Sequence, residues 1–407
     1  MDRLRTDSMK HAWLIGMLGT LLAANGGHTA PSGCASSSEC FDSAQGRWFK
    51  GNTHAHAGML LHGVVPHGDS SPASVAAWYR DHGYDFAVIT DHNRFTDPAE
   101  AELERVQSRD FILIPGVEIT SDYRFPGATQ DGERAIHTTA LNVHDAPPSD
   151  FANTPSRDIL KAHIERTRAA GGITIVNHPN YHGEIKPADM LGLEGLHLFE
   201  VFNGEVEAHN DAAPGRLSTD QLWDALLTAG MHVYGVAADD AHYFKLPDLT
   251  TRYRGTFTLP GSGWIVVNAR ELSTPAIVGA IDQGRFYATT GVILKTLSYD
   301  RQHYRVEVDW PATDASLAST FVTEAARCVP ANREHGLTVE FIGRGGRVLK
   351  TTHDDPAEFD IDPGDGYVRT RVTLVASLET RLDDAPCAHQ FTAWTQPVFT
   401  GGGPPHT

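Results

Sequence analysis

Seven histidines, one glutamate and one aspartate stand at or near the ends of apolar runs between residues 54 and 242. The runs are GNTHAH (51–56), FAVITDHN (86–93), ILIPGVEIT (112–120), AIHTTALNV (135–143), ITIVNHPN (173–180) and VYGVAADDAH (233–242). A parallel barrel gathers the C-terminal ends of its strands at one mouth, so residues as far apart as His54 and His242 can meet there. A ligand-type side chain recurring where each short strand is expected to stop points to one metal site.

The segments between these runs carry helix signals. Ser71 to Asp81 has Pro72 at its start and Gly83 just past its end. Residues 98–109 and 154–170 follow the same logic, the second stopped by Gly171-Gly172. Residues 218–229 are capped by Ser218 or Thr219 and stopped by Gly230. Short buried strands alternating with such helices predict an α/β fold with a parallel sheet. Polar residues at the ends of most strands, rather than at one switch point, favour a barrel over an open sheet. From about residue 295 the pattern changes to apolar–polar alternation, as in YRVEV (304–308), LTVEFI (337–342) and YVRTRVTLV (367–375). That pattern predicts a small antiparallel, sandwich-like all-β domain.

Arg3, Arg5 and Lys10 precede a short apolar core from Ala12 to Ala24, followed by small residues. This predicts an export signal over residues 1–30, too short to span a membrane. The expected division is therefore signal 1–30, linker 31–46, barrel 47–294 and β-domain 295–407. The destination is periplasmic or extracellular. Lipid anchoring at Cys34 is the weaker alternative, because PSGC lacks the usual leucine and lies far from the apolar core. Four cysteines fit an oxidising compartment. Of the three possible pairings, Cys34–Cys40 with Cys328–Cys387 is expected, since each bridge would staple a segment of weak periodicity.

The formal charge of −18 argues against nucleic-acid backbone as a stable partner. It does not exclude a phosphate ester as substrate, because bound cations reverse the local potential.

Each motif alone has a plain explanation. His54 and His56 on extended chain share one face, as they would on any solvated strand. His62 lies in a glycine-bearing loop and reads alone as a surface histidine. Asp91, beside His92, reads equally well as a helix N-cap. His137 and His178 read as core histidines. Glu118, embedded in ILIPGVEIT, is harder to dismiss, because a buried carboxylate needs a partner, a proton or a metal. Its two oxygens also suit bridging between cations. Asp240 and His242 again share a face, with Asp239 beside them placed to orient a ligand imidazole. Their joint recurrence outweighs the separate explanations.

The order HxH, TDHN, GxE, H, NHP and DxH resembles the PHP (polymerase and histidinol phosphatase) family over residues 50–290. The resemblance implies a distorted seven-stranded β/α barrel holding two or three divalent ions, often Zn, Mn or Fe. It implies that His54, His56, Glu118 and Asp240 hold one ion. Glu118, His137 and His178 would hold a second, with Glu118 bridging, and His62, His92 and His242 a third. The stretches WDALLTAGMHVYGVAADDAH (223–242), GRFYATTGV (284–292) and AWTQPVF (393–399) are similar, more loosely, to an exported branch that includes carbaryl-hydrolase-like proteins.

The expected function is metal-dependent hydrolysis of a small-molecule phosphomonoester or phosphodiester by a metal-bridging hydroxide. Asp91 or His242 is the expected proton donor, and Arg94, Tyr123, Asn180, Tyr181 and His182 are candidates to line the mouth. The alternative is hydrolysis of a carboxylic ester, carbamate or amide on the same site. The absence of a clear Arg/Lys cluster beside the ligands leans toward it. A third reading is a metal-stabilised binding module, which would bind without turnover.

Overall fold

The computed structural model describes residues 40–61, 65–124, 133–149, 154–183, 185–245, 258–318, 328–330, 336–380 and 386–400. The expected signal at 1–30, His62 and Cys34 lie outside the described residues. So do the side chains at 123, 328 and 387, so neither expected disulfide pairing is placed.

Helices form where the capping chemistry asks for them. Ser71 caps Pro72–Asp81 by accepting from Ser74 N, and Ser218 with Gln221 forms a reciprocal capping box at the start of Thr219–Thr228. Ser156–Ala169 buries Ile159, Leu160, His163, Ile164 and Thr167 along one stripe. The helix expected over 98–109 shrinks to Ala101–Glu104. Only Leu103 and Val106 in the 101–110 stretch are buried, too little apolar surface to hold further turns. The helices Thr274–Asp282 and Trp310–Leu317 were not expected, although Ser273 and Asp309 each cap them ahead of a proline.

The strands sort into two large sheets among the described residues. One is five-stranded, in the order Tyr234–Ala238, Leu198–Asn203, Ile173–Val176, Glu133–Leu141, Gly116–Arg124. The first two pairings are parallel, whereas Glu133–Leu141 runs antiparallel to both of its neighbours. The other sheet has 11 strands. It carries Ile112–Leu113, Phe86–Ala87, Arg47–Asn52, Trp264–Ala269 and Phe286–Thr289, and continues into Pro386–Thr395, Tyr367–Thr380, Gly336–Gly343 and Arg347–Thr352.

No continuous ladder among the described residues closes the expected seven-stranded cylinder. The two sheets meet instead at two single parallel bridges, Ala55↔Ala241 and His92↔Glu118. Beside each bridge sits a residue with left-handed backbone, Asp240 at φ 54 and Asn93 at φ 52, which a regular ladder does not accommodate. The outer edge of Tyr234–Ala238 is met by a side chain. Gln396 accepts from Gly235 N at 2.9 Å and donates to Gly235 O at 2.8 Å, standing in for a neighbouring strand.

Hydrogen bonding also runs across the boundary expected at 294/295, because Tyr287, Ala288 and Thr289 pair with Thr395, Trp394 and Ala393. Beyond it, Leu294–Tyr299, His303–Val308 and Ala357–Asp360 form a separate antiparallel sheet with Phe41–Asp42. Its Tyr304 and Val306 share one apolar core with Phe341, Val372 and Phe391 of the long sheet. The expected linker at 31–46 is thus structured from Phe41 onward, since Phe41 is buried against Trp48 and Tyr299. No helix among the described residues is long and apolar enough to cross a membrane.

A buried ionic cluster fastens the C-terminal strands to the helix ahead of Asp240. Arg369, fully buried, meets Asp220 at 2.8 Å and Asp224 at 2.8 Å, with its guanidinium 4.7 Å from the Trp223 ring centroid. Arg371 reaches Asp220 and, at 2.7 Å, Glu340. Removing one member of a buried ionic group strands its partners without counter-charge. Arg369→Met is therefore expected to lower the unfolding free energy by about 3–5 kcal/mol, as checked by urea denaturation. A loss below about 1 kcal/mol would mean that the cluster contributes no more than a surface pair does.

Candidate metal centre

Eight of the nine expected ligands meet in one largely buried cluster, and the ninth, His62, is not described. Six of the eight arrive from the turn after a strand, and two lie within strands. His54 and His56 follow Arg47–Asn52, His92 follows Phe86–Ala87, and His178 follows Ile173–Val176. Glu118 and His137 lie within adjacent antiparallel strands. Thr120 pairs with His137, so His137 shares a face with Glu118 two residues earlier. Asp240 and His242 follow Tyr234–Ala238.

Four overlapping groups have their ligand atoms within 4.8 Å of one another: His56/His92/His242, His54/His56/Glu118, His54/His178/Asp240 and His92/Glu118/His137. The division departs from the implied sets, since His56 joins His92 and His242 while His178 joins His54 and Asp240. Glu118 is the shared element. Its Oε1 lies 3.2 Å from His54 Nε2, 3.2 Å from His137 Nδ1 and 3.4 Å from His178 Nε2. Its Oε2 lies 2.6 Å from His92 Nδ1 and 3.6 Å from His56 Nε2.

The donor chemistry fits divalent cations. His54 Nδ1 lies 2.8 Å from Glu200 Oε1, and a carboxylate that accepts there leaves the imidazole lone pair on Nε2. That Nε2 stands 3.1 Å from His56 Nε2, 3.2 Å from Glu118 Oε1 and 3.2 Å from Asp240 Oδ1. His242 Nδ1 donates to the Asp240 carbonyl at 2.8 Å, which puts its lone pair on Nε2 as well. Electron pairs converging in a water-poor site call for a positive centre.

Protonation reports the same imbalance. Burial pushes the Glu118 carboxyl up, but His92, His137 and His54 together outweigh it and hold it well below the usual range. Asp240 follows the same pattern, with His54 and His56 overcoming burial. Burial also opposes the charged form of His54, yet Asp240, Glu118 and Glu200 raise it well above an ordinary imidazole. His56, buried and facing His92, falls to about 3.

The backbone is constrained at two of these ligands. His178 sits at φ 23 ahead of Pro179, and Asp240 at φ 54. Such conformations cost on the order of 1–3 kcal/mol and persist where the surroundings enforce them. Asn177 holds Glu118 Oε1 at 2.8 Å, and Asn93 clasps both the N–H and the C=O of Thr120.

Other expected roles change. Asp91 accepts from Ala57 N at 2.7 Å and from the Thr96 hydroxyl at 3.3 Å, and burial raises its pKa. Its place is that of an anchor for the loop after His56. Asp239 reaches no imidazole among the described residues. Its Oδ1 takes the N–H groups of Gly261, Ser262 and Gly263, and its Oδ2 takes the Tyr79 hydroxyl. Asn180 is spent on the carbonyls of His209 and Leu217, and Arg94 is exposed. Tyr181 does line the centre, with its ring 5.0 Å from that of His178 and 5.9 Å from that of His137, while His182 packs edge-on against Tyr181. Glu200 is a residue that motif reasoning misses, although LHLFEVFN buries a glutamate in an apolar strand just as ILIPGVEIT does.

No protein-family model and no curated protein matches the chain. Among solved structures, one that it resembles is a two-domain protein containing a predicted PHP-like metal-dependent phosphoesterase from Bacteroides vulgatus ATCC 8482. The TM-score is 0.39 at 15% identity, covering 85% of this chain and 95% of the other. Another is an amidohydrolase from Chromobacterium violaceum, with TM-score 0.29 at 12% identity, covering 49% of this chain and 92% of the other. Likeness at this level carries no weight beside the geometry of the cluster.

That geometry sets two expected outcomes. After loading with Mn or Zn and desalting, Glu118→Gln should retain fewer ions per chain than His242→Ala, because Glu118 serves two groups and His242 one. Metal analysis by mass spectrometry checks this, and wild-type retention by Glu118→Gln would remove Glu118 from the centre. The second concerns Lys50, whose ammonium lies 3.9 Å from the Tyr84 ring centroid and 4.4 Å from that of Trp264. Burial lowers its pKa to about 8 against the opposing pull of Asp239 and Asp85. An unfolded lysine titrates near 10.4, so between about pH 8 and 10 the unfolded chain binds more protons and this group makes stability rise with pH. Lys50→Met should flatten that rise, as read from urea midpoints at about pH 7.5 and 9.5. An unchanged slope would show that Lys50 titrates normally.

Proposed function

We propose that the protein is an exported metal-dependent hydrolase acting on small phosphomonoesters or phosphodiesters. The observation that carries this reading is the buried Glu118 carboxylate, shared between two groups of imidazoles. A carboxylate with both oxygens committed in this way suits neighbouring cations, and paired cations suit in-line displacement at phosphorus. His54, His56, Glu118 and Asp240, with His92, His137, His178 and His242, would hold two or three Zn, Mn or Fe ions. When bound, such ions supply Lewis acidity and make water acidic enough to act as a nucleophile near neutral pH.

The chain's own groups do the rest. Asn177 fixes the Glu118 carboxylate, and Asp91 holds the loop after His56. With the Asp91 oxygens engaged there and both His242 nitrogens committed, proton delivery to a leaving oxygen is assigned to water.

A second reading is hydrolysis of a carboxylic ester, carbamate or amide, in keeping with the looser carbaryl-hydrolase-like resemblance. Tyr181 favours it, because an aromatic wall against His137 and His178 suits a planar acyl group with an apolar substituent.

Turnover of p-nitrophenyl phosphate, bis(p-nitrophenyl) phosphate and p-nitrophenyl acetate by the metal-loaded chain separates the two. His54→Ala serves as the blank. The phosphoesterase reading expects phosphate-ester turnover at least about a hundredfold above the mutant, in line with the loss of a catalytic metal ligand. Acyl turnover alone would replace it with the second reading. Turnover unaffected by His54→Ala would place the chemistry elsewhere.

A further inference from the structure

The strand Leu198–Asn203 supplies none of the eight ligand side chains, yet it touches three of them. Glu200 and Asn203 stand three residues apart, a spacing that puts side chains on opposite faces of a regular strand. Here the register against Tyr234–Ala238 slips between Glu200 and Phe202, which leaves Val201 as an extra residue. A bulge of this kind re-aims the side chains beyond it. The Val201 carbonyl is taken by the Thr219 hydroxyl at 2.5 Å, which pins the bulge to the first turn of a helix.

The consequence is that Glu200 and Asn203 reach the same place. Glu200 Oε1 meets His54 Nδ1 at 2.8 Å, and Oε2 accepts from the backbone N–H of His178 at 2.7 Å. Asn203 Nδ2 donates to that same Oε2 at 2.7 Å and to Asp240 Oδ2 at 3.2 Å. His54, His178 and Asp240 are the members of one candidate cation group. Two of them have left-handed backbone, and the bracket holds one through its N–H and the other through its carboxylate.

We propose that Glu200 and Asn203 are positioning residues that assemble His54, His178 and Asp240 into one cation site, with Glu200 fixing the His54 tautomer so that Nε2 faces the ion. The inference rests on the metal reading of the cluster. Groups that hold a ligand imidazole by its other nitrogen commonly contribute tenfold to a hundredfold in metal affinity. Glutamine at 200 keeps the shape but has one acceptor oxygen, so it cannot serve His54 Nδ1 on one side while accepting from His178 N and Asn203 on the other.

The test is competitive titration of the full chain with Zn or Mn against a chromophoric chelator, alongside urea unfolding of the metal-free protein. Glu200→Gln is expected to weaken one ion about tenfold to a hundredfold and to leave the others at wild-type affinity. Asn203→Ala should weaken the same ion less, and it carries the test if Glu200→Gln does not fold. Selective ¹⁵N labelling of histidine should show the His54 ring change its tautomer balance in Glu200→Gln and not in Asn203→Ala. Wild-type affinity for every ion in both variants overturns the bracket. Equal weakening of all ions together with a destabilised metal-free chain also overturns it, because that pattern marks general structural support. A wild-type chain that binds neither metal overturns the metal reading first, and the bracket with it.

Discussion

Two buried carboxylates packed against six imidazoles are the constraint around which this molecule is arranged. Glu118 is fully buried and Asp240 nearly so, and neither pairs with a lysine or arginine among the described residues. Desolvation alone would drive both to hold a proton, yet the surrounding histidines keep both ionised. A cluster that must borrow imidazolium charge to stay ionised is an arrangement in need of cations. Bound cations would supply the positive charge that Glu118 and Asp240 otherwise take from neighbouring histidines. The fold's task is to hold that concentration of like electron pairs together until the cations arrive.

Much of the holding is done by backbone and amide groups. Asn93 fastens its own turn to Thr120, Asn177 fastens Glu118, and Asn203 ties Asp240 to Glu200. Asparagine side chains supply a donor and an acceptor without changing the electrostatic balance of the cluster. Asp239, beside Asp240 in the chain, faces away to collect three backbone N–H groups from Gly261, Ser262 and Gly263. Close packing there leaves little choice of residue, because a Cβ on Gly263 would lie 2.7 Å from the Phe202 ring. The adjacent acids therefore divide their work, one toward the ions and one toward the loop that backs them.

Most of the ligands are legible in the sequence because the turns after strands write them locally, as a ligand-type residue closing an apolar run. Glu118 is legible for a second reason, since an apolar strand rarely buries a lone carboxylate. Glu200 carries the same signal in LHLFEVFN, a run that is not part of the metal motifs. The sheet arrangement is less legible. Closure of a barrel depends on how the ladder behaves at Ala55, His92 and Ala241, and the left-handed residues that interrupt it there are an aspartate and an asparagine, which read as ordinary turn formers. Nor does alternation from residue 304 onward reveal that Pro386–Thr395 adds to the sheet of the first half. Pairing partners are a tertiary property, and period-two patterns specify a face, not a neighbour.

That shared sheet gives the C-terminal region a physical role in the centre. Asp240 lies at the end of a chain segment that begins with the helix Thr219–Thr228 and passes through the strand Tyr234–Ala238. The C-terminal strands grip that segment at both elements. Arg369 and Arg371 take Asp220 and Asp224 on the helix, and Gln396 pairs with both backbone groups of Gly235 on the strand. Tyr367 adds its hydroxyl to Asp224 at 2.8 Å. Through the Thr219 hydroxyl the helix also holds the Val201 bulge, so it steadies both Asp240 and the strand that carries Glu200 and Asn203. A displacement of the helix would shift a ligand and its support together. The C-terminal strands thus act on the candidate cation group without approaching it, by fixing a segment that holds the Val201 bulge at one end and carries Asp240 at the other.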